Sequence, residues 1–329
     1  MYCNMKKYMI QLLSVTISML LLLGEFIPVA SEAEGSKLRI VTTIFPVYDW
    51  VREILGDEAD ETEITMLLDS GADLHNYQPS ASDILKIKQA DLFIYIGGES
   101  DKWTEGVIAV ADNPERINLN LMDALGEDLR EEETVEGMEA YEEHEDAEKE
   151  AEYDEHIWLS LQNARKLVEI IAEKIAEKKP DRRDLYQANA EQYAERLSLL
   201  NQAYEEAVST STRKILLFGD RFPFLYLTED YGLTYFAAFS GCSAESEASF
   251  ETIMFLAKKA DELTLPVILT LENPKTGLAE TIARSTKTGS LQILSMNSLQ
   301  SITAQDVNSG ITYLSVMNEN LNTLKQALQ

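Results

Sequence analysis

Three histidines, at positions 75, 144 and 156, and a cysteine at 242 are the side chains best suited to hold a soft or borderline metal ion. His75 lies in Asp73-Leu74-His75-Asn76-Tyr77-Gln78-Pro79 and His156 in Asp154-Glu155-His156-Ile157-Trp158-Leu159-Ser160, each just ahead of a helix start. A neutral imidazole in such a loop can present one nitrogen to a cation while a neighbour holds the other. Taken singly, each reads better as a surface or capping histidine. Two imidazoles also leave a dication uncompensated, so a thiolate or carboxylate is needed beside them. The candidates are Asp220, Cys242, Glu245 and Glu272, with Asp220 ranked first and Cys242 second. The competing roles are a salt bridge from Asp220 to Arg221 or Arg213, and for Cys242 a small buried residue beside glycine.

The elements that must position these residues follow from periodicity. Residues 37–43 and 64–68 read as strands with a helix over 47–55 between them. Pro79-Ser80-Ala81-Ser82-Asp83 starts a second helix, and 92–96 is a strand ended by Gly97-Gly98. Strand, helix, strand in that order predicts a parallel sheet. Helical spacing resumes over 160–177 and 184–208, with Pro180 between the two. Beyond them strands at 214–218, 234–239, 267–272 and 292–295 alternate with helices at 224–231, 249–260 and 278–284, before a helix over 312–328. The fold class is therefore α/β: two lobes, each a parallel sheet flanked by helices, joined by one long rigid helix. The boundaries are 37–183 for the first lobe, 184–209 for the linking helix and 210–329 for the second lobe. Ligands in such sheets sit at the carboxyl ends of strands. The aromatic run Phe222, Phe224, Tyr226, Tyr231, Tyr235, Phe236 and Phe239, with Trp103 and Trp158, reads as core.

Composition bounds the function. The chain has 329 residues, 45% hydrophobic and 26% charged, with 28 Lys and Arg against 57 Asp and Glu for a net charge of −29. Such a chain repels phosphate backbones, so nucleic acid is not expected as a partner. Between residues 123 and 155, 17 acidic side chains face only Arg130 and Lys149. This segment reads either as a solvated, self-repelling loop or as a low-affinity collector of divalent cations, with His144 its one imidazole. Residues 1–33 have the order of a secretory signal, Lys6 and Lys7 first, then Leu20 to Leu23, then Ser31 and Ala33; an uncleaved anchor is the alternative. Cys3 precedes the apolar run and cannot be a lipidated first residue, so a lipid anchor is not expected. Without the leader one cysteine remains and no internal disulfide can form. There is no His-Glu-x-x-His helix and no Gly-x-Ser-x-Gly elbow, which argues against a metallohydrolase.

Together these pieces resemble the metal-binding proteins of zinc and manganese ABC importers. The resemblance rests on residues 39–50 (RIVTTIFPVYDW), His75-Asn76-Tyr77-Gln78-Pro79 with Asp83, residues 90–98 (ADLFIYIGG) and Glu155-His156-Ile157-Trp158-Leu159-Ser160 with Asn163-Ala164. It implies an exported, non-enzymatic, monomeric receptor that captures Zn²⁺ between the lobes and delivers it to a cognate ABC permease. His75 and His156 would be ligands. A receptor selective for Mn²⁺ or Fe²⁺, or an adhesin-like homologue with a degenerate site, are the alternatives. The second half departs from the pattern: Gly219 stands where relatives carry a third histidine or a glutamate, with Asp220 one residue along, and Asn297 and Gln300 stand where a late carboxylate is expected.

Overall fold

The computed structural model describes residues 37–139, 152–242, 247–274 and 277–329. The leader, His144 and Glu245 therefore lie outside the described residues. Two four-stranded sheets carry the fold. The first is formed by β1 (Arg39–Thr42), β2 (Glu63–Met66), β3 (Leu92–Tyr95) and β4 (Ile117–Asn120), in the order β2-β1-β3-β4. The second is formed by β5 (Ile215–Phe222), β6 (Thr234–Ser240), β7 (Val267–Leu271) and β8 (Gln292–Met296), in the order β6-β5-β7-β8. Every pairing is parallel. The sheets share one winding, so the first strand of each lies second in order and the second strand lies at an edge. β4 escapes the sequence reading because Asn118 and Asn120, residues disfavoured in strands, make up half of INLN.

Helices α1 (Phe45–Leu55), α2 (Ala81–Gln89), α3 (Trp103–Val110) and α4 (Leu121–Leu125) belong to the first sheet's half of the chain. α2 starts where Ser80 predicts: its hydroxyl accepts from Asp83 N–H, and Asp83 accepts in return from Ser80 N–H. α5 (Leu161–Lys178) and α6 (Arg183–Thr210) follow, split at Pro180. The 28 residues of α6 give a rod of roughly 42 Å at ~1.5 Å per residue. α7 (Leu225–Tyr231), α8 (Phe250–Glu262), α9 (Leu278–Ser285), α10 (Ala304–Asn308) and α11 (Tyr313–Ala327) complete the second half.

One hydrophobic core runs through both halves. Trp50 and Ile54 of α1, Leu167 and Ile171 of α5, Tyr193 and Tyr204 of α6, Phe218 of β5 and Leu321 of α11 belong to it, and a smaller cluster lies under α8 and α9. Polar ties cross the same boundary: Tyr313 N–H donates to Asp49 (2.9 Å), and Trp158 Nε1–H donates to the Ser298 carbonyl (2.8 Å). Leu38–Gln329 pack as one unit. The halves are thus fused along a helical layer, which favours small relative movements over a wide hinge.

The acidic segment is tied down at several of its described residues, while Glu133 and Glu136 remain exposed. Glu131 pairs with Tyr153 in an antiparallel bridge, Glu139 N–H donates to the Ala238 carbonyl of β6, and Met138 is buried. Residues 130–139 are a strap laid on the second half, not a free solvated loop. Local backbone pairing and apolar anchors at Met138 and Leu129 outweigh self-repulsion there.

Candidate metal centre

His75 sits in a single 3-10 turn, Leu74–Asn76, in the connection that follows β2. Asp73 caps that turn by accepting from His75 N–H (3.1 Å), while its second oxygen takes Arg221 Nη2–H (2.8 Å) from β5. Burial works to raise the Asp73 carboxyl, but the guanidinium and the imidazole beside it hold it below the usual carboxylate range. The two sheets are therefore clasped next to the imidazole. His156 precedes the turn Ile157–Leu159 that leads into α5 and is fully buried. Its backbone N–H (2.8 Å) and Nδ1 (3.1 Å) both point to Asp154 Oδ1.

These two histidines, 81 positions apart, meet with Nε2 atoms 3.3 Å from each other and ring centroids 5.3 Å apart. A carboxylate only accepts, so Asp154 fixes the hydrogen of His156 on Nδ1. His75 Nδ1 is 2.7 Å from Ser100 Oγ, a hydroxyl that can accept from the ring or donate to it, and 3.7 Å from Glu155 Oε2. With the hydrogen of each ring on Nδ1, both Nε2 lone pairs face one small space, an arrangement that a cation between them would stabilise. Two Zn–N bonds of ~2.05 Å at a tetrahedral angle would separate the nitrogens by ~3.3 Å.

Cys242 completes the group: its sulfur and one nitrogen from each histidine all lie within 4.8 Å of one another. It follows β6, as His75 follows β2, so the edge strands at matching positions of the two sheets each deliver a donor. Gly241 makes the approach feasible, because a Cβ there would stand 2.9 Å from His156 Cε1. Gly98 does the same for Glu155, whose Oε1 accepts Ser100 N–H (2.8 Å): at φ +76°, a Cβ on Gly98 would come within 2.5 Å of Oε1.

The site is negative and poorly hydrated. Burial pushes the Cys242 thiol well above its usual range, helped by Asp154, Glu132 and Glu155. Burial likewise raises Glu155 and Glu132. At His156 burial opposes protonation, but Asp154, Glu155 and Glu132 outweigh it and the net shift is upward. Burial, followed by repulsion from His156, pushes His75 down to about 3. Such a pocket stabilises positive charge supplied from outside, and a metal ion at the thiol would displace its proton.

The other sequence candidates stand elsewhere. Asp220, ranked first among the completing ligands, is not in the group. It lies in a β-bulge where the register between β5 and β6 shifts, and its carboxylate accepts Leu271 N–H (3.1 Å) and Arg221 N–H (2.9 Å). Both of its oxygens are thus taken up by backbone N–H groups, one of β7 and one of its own strand. Glu272 accepts from Ser298 N–H and from the hydroxyls of Ser298 and Ser301. Asn297 exchanges hydrogen bonds with Asn320. At Gly219 an added Cβ would meet Ile268 Cδ1 at 2.8 Å and Ala279 Cα at 2.9 Å, so α9 leaves no room for a larger residue. Sequence reasoning missed Ser100 and Glu132, which touch the ligands or their backbone; neither sits at a motif spacing.

Over residues 40–327 the chain matches the family described as zinc-uptake complex component A periplasmic, ZnuA. It is 33% identical over 298 residues to the zinc-binding lipoprotein AdcA of Streptococcus pneumoniae, covering 90% of this chain and 56% of that protein. It is 28% identical over 304 residues to the high-affinity zinc uptake system protein ZnuA of Bacillus subtilis, covering 91% and 90%. The crystal structure of Zn(II)-bound AdcA from S. pneumoniae superposes with a TM-score of 0.70 at 31% identity, covering 89% of this chain and 58% of that one. The chain thus spans just over half the length of the streptococcal relative.

Proposed function

This chain belongs to the ZnuA family, the periplasmic A components of zinc-uptake complexes, and from that premise we propose that it is an extracytoplasmic receptor that captures Zn²⁺ for an ABC permease. The family is one of solute-binding proteins, not of enzymes. His75, His156 and Cys242 hold the ion, and one position of a tetrahedral zinc is left for a further donor. The observation that carries this reading is the opposed pair of Nε2 atoms 3.3 Å apart, each with its Nδ1 engaged by another group.

Two imidazoles and a thiolate suit zinc, whereas manganese prefers oxygen donors, so the thiol weighs against the manganese alternative. The thiolate also offsets half of the ion's charge. Because His75 and Cys242 come from opposite sheets, separating the halves by a small tilt removes a donor. This is how contact with the permease would release the ion, and the shared helical layer keeps that tilt small. Export by the N-terminal leader and action as a monomer complete the reading, with the lobes and linking helix bounded as the sequence suggests.

Isothermal titration of the metal-free chain with Zn²⁺ and Mn²⁺ tests it. One zinc per chain is expected, bound more tightly than manganese. His75→Ala and His156→Ala are each expected to lose more affinity than the ~10–100-fold typical of outer-shell changes. Tighter manganese binding, or wild-type metal content in both variants after native purification, would overturn the reading.

A further inference from the structure

Each donor of the group has a carboxylate of its own. Asp154 holds His156, and Glu155 reaches His75 through Ser100. For Cys242 the carboxylate comes from 110 positions away: its backbone N–H donates to Glu132 Oε1 (3.3 Å), and the Ser240 hydroxyl bonds the same side chain. Glu132 is fixed in turn. Its N–H donates to the Glu152 carbonyl (2.8 Å), and Asp154 N–H donates to the Arg130 carbonyl (2.9 Å), on either side of the Glu131–Tyr153 bridge. The two arms of the acidic segment thus form a paired base. One arm carries the glutamate that holds Cys242, and the other continues directly into Asp154, Glu155 and His156. Farther along, the Glu139 carboxylate accepts Ser249 N–H, so the connection that carries Cys242 is fastened at both ends by glutamates of this segment.

The geometry points to Glu132 as the positioning residue for the sulfur donor, and through it as a determinant of which metal the site prefers. It holds the turn after β6 so that the thiolate faces the two Nε2 atoms. Without it the turn is released, the site keeps two imidazoles without a held thiolate, and the advantage of zinc over manganese narrows. Glu132 itself is not a ligand; it acts on the Cys242 backbone. The inference rests on the reading of His75, His156 and Cys242 as the ligands.

The test uses the full chain with Co²⁺ as a spectroscopic probe, reading the thiolate-to-cobalt charge-transfer band, and Zn²⁺ and Mn²⁺ affinities from chelator competition. Glu132→Ala is expected to weaken the band, lower zinc affinity by about 10–100-fold and leave manganese affinity nearly unchanged. Glu132→Gln keeps an acceptor for the Cys242 N–H and is expected to restore most of both signals, which a general folding defect would not. In a Cys242→Ala background, Glu132→Ala should change zinc affinity by less than about twofold, because the coupling runs through the sulfur. A wild-type band and affinity in Glu132→Ala, an equal loss in Glu132→Gln, or an undiminished loss in the Cys242→Ala background would each overturn the role of Glu132. Failure of the ligand reading shows differently: Cys242→Ala would then bind zinc as tightly as wild type and wild type would give no sulfur band, and the Glu132 inference would fall with it.

Discussion

Asp49 on α1 is a buried carboxyl whose Oδ2 accepts the first amide of α11, Tyr313 N–H, at 2.9 Å, so it caps a helix of the opposite half of the molecule. Burial dominates and raises it from 3.8 to about 6, with the Tyr313 hydrogen bond acting in the other direction. A carboxyl that binds its proton more tightly when folded contributes stability that is fully present below the unfolded value and is lost as pH rises through the folded one. With each unit near 1.36 kcal/mol, the loss between about pH 4 and pH 8 is about 2.5 kcal/mol. Asp49→Asn keeps an oxygen for Tyr313 N–H but cannot ionise. Urea unfolding of both proteins, with chelator present and followed by tryptophan fluorescence, should show the variant gaining about 2.5 kcal/mol on wild type over that pH range. Asp101, raised by burial to about 7, and Asp230, raised by burial to about 6, titrate in both proteins and cancel from the difference. A stability difference that stays constant within about 0.5 kcal/mol would refute the desolvated placement of Asp49.

Arg221→Met breaks the 2.8 Å tie to Asp73 that clasps the two sheets beside His75. It is expected to cost about 1–2 kcal/mol in urea unfolding and to lower zinc affinity about tenfold in chelator competition. Gly98→Ala combines a left-handed φ of +76° with a 2.5 Å contact to Glu155 Oε1, so a loss of about 1–3 kcal/mol and weakened zinc binding should appear in the same assays. Gly219→His places an imidazole where the family resemblance leads one to expect it. With Ile268 and Ala279 less than 3.0 Å from the new Cβ, it should destabilise by at least about 1–3 kcal/mol and give no gain in zinc affinity on titration.

Elements with strong periodicity or a capping signal were readable in the chain. Ser80 and Asp83 form the capping box that starts α2, and Pro180 divides α5 from α6. The pairing of His75 with His156 was also accessible, through the motifs around each residue. β4 does not stand out, because Asn118 and Asn120, both disfavoured in strands, make up half of it, and α4 is little more than a single turn. Asp220 looked like the better completing donor because it occupies the right strand end and carries charge. In the structure its carboxylate accepts from Leu271 and Arg221 N–H at a shift in register between β5 and β6, and it does not join the group of His75, His156 and Cys242; a shift in register is invisible to composition. The acidic segment misleads for a related reason: its net charge describes a chain alone in water, whereas Glu131 pairs with Tyr153 of the same segment and Glu132 and Glu139 find partners in the connection after β6.

By itself, then, the sequence determined the alternation of strands and helices, the two parallel sheets, the long helix and the two imidazoles, because each is written in residues near one another along the chain. Which third side chain joins them, and which carboxylate holds it, was decided only in three dimensions. Cys242 meets His156, and Glu132 meets Cys242, through strand order and a paired strap, and those contacts join residues as much as 110 positions apart. The orientation of a donor depends on the backbone hydrogen bonds that fix its turn, and those are set by the packed fold.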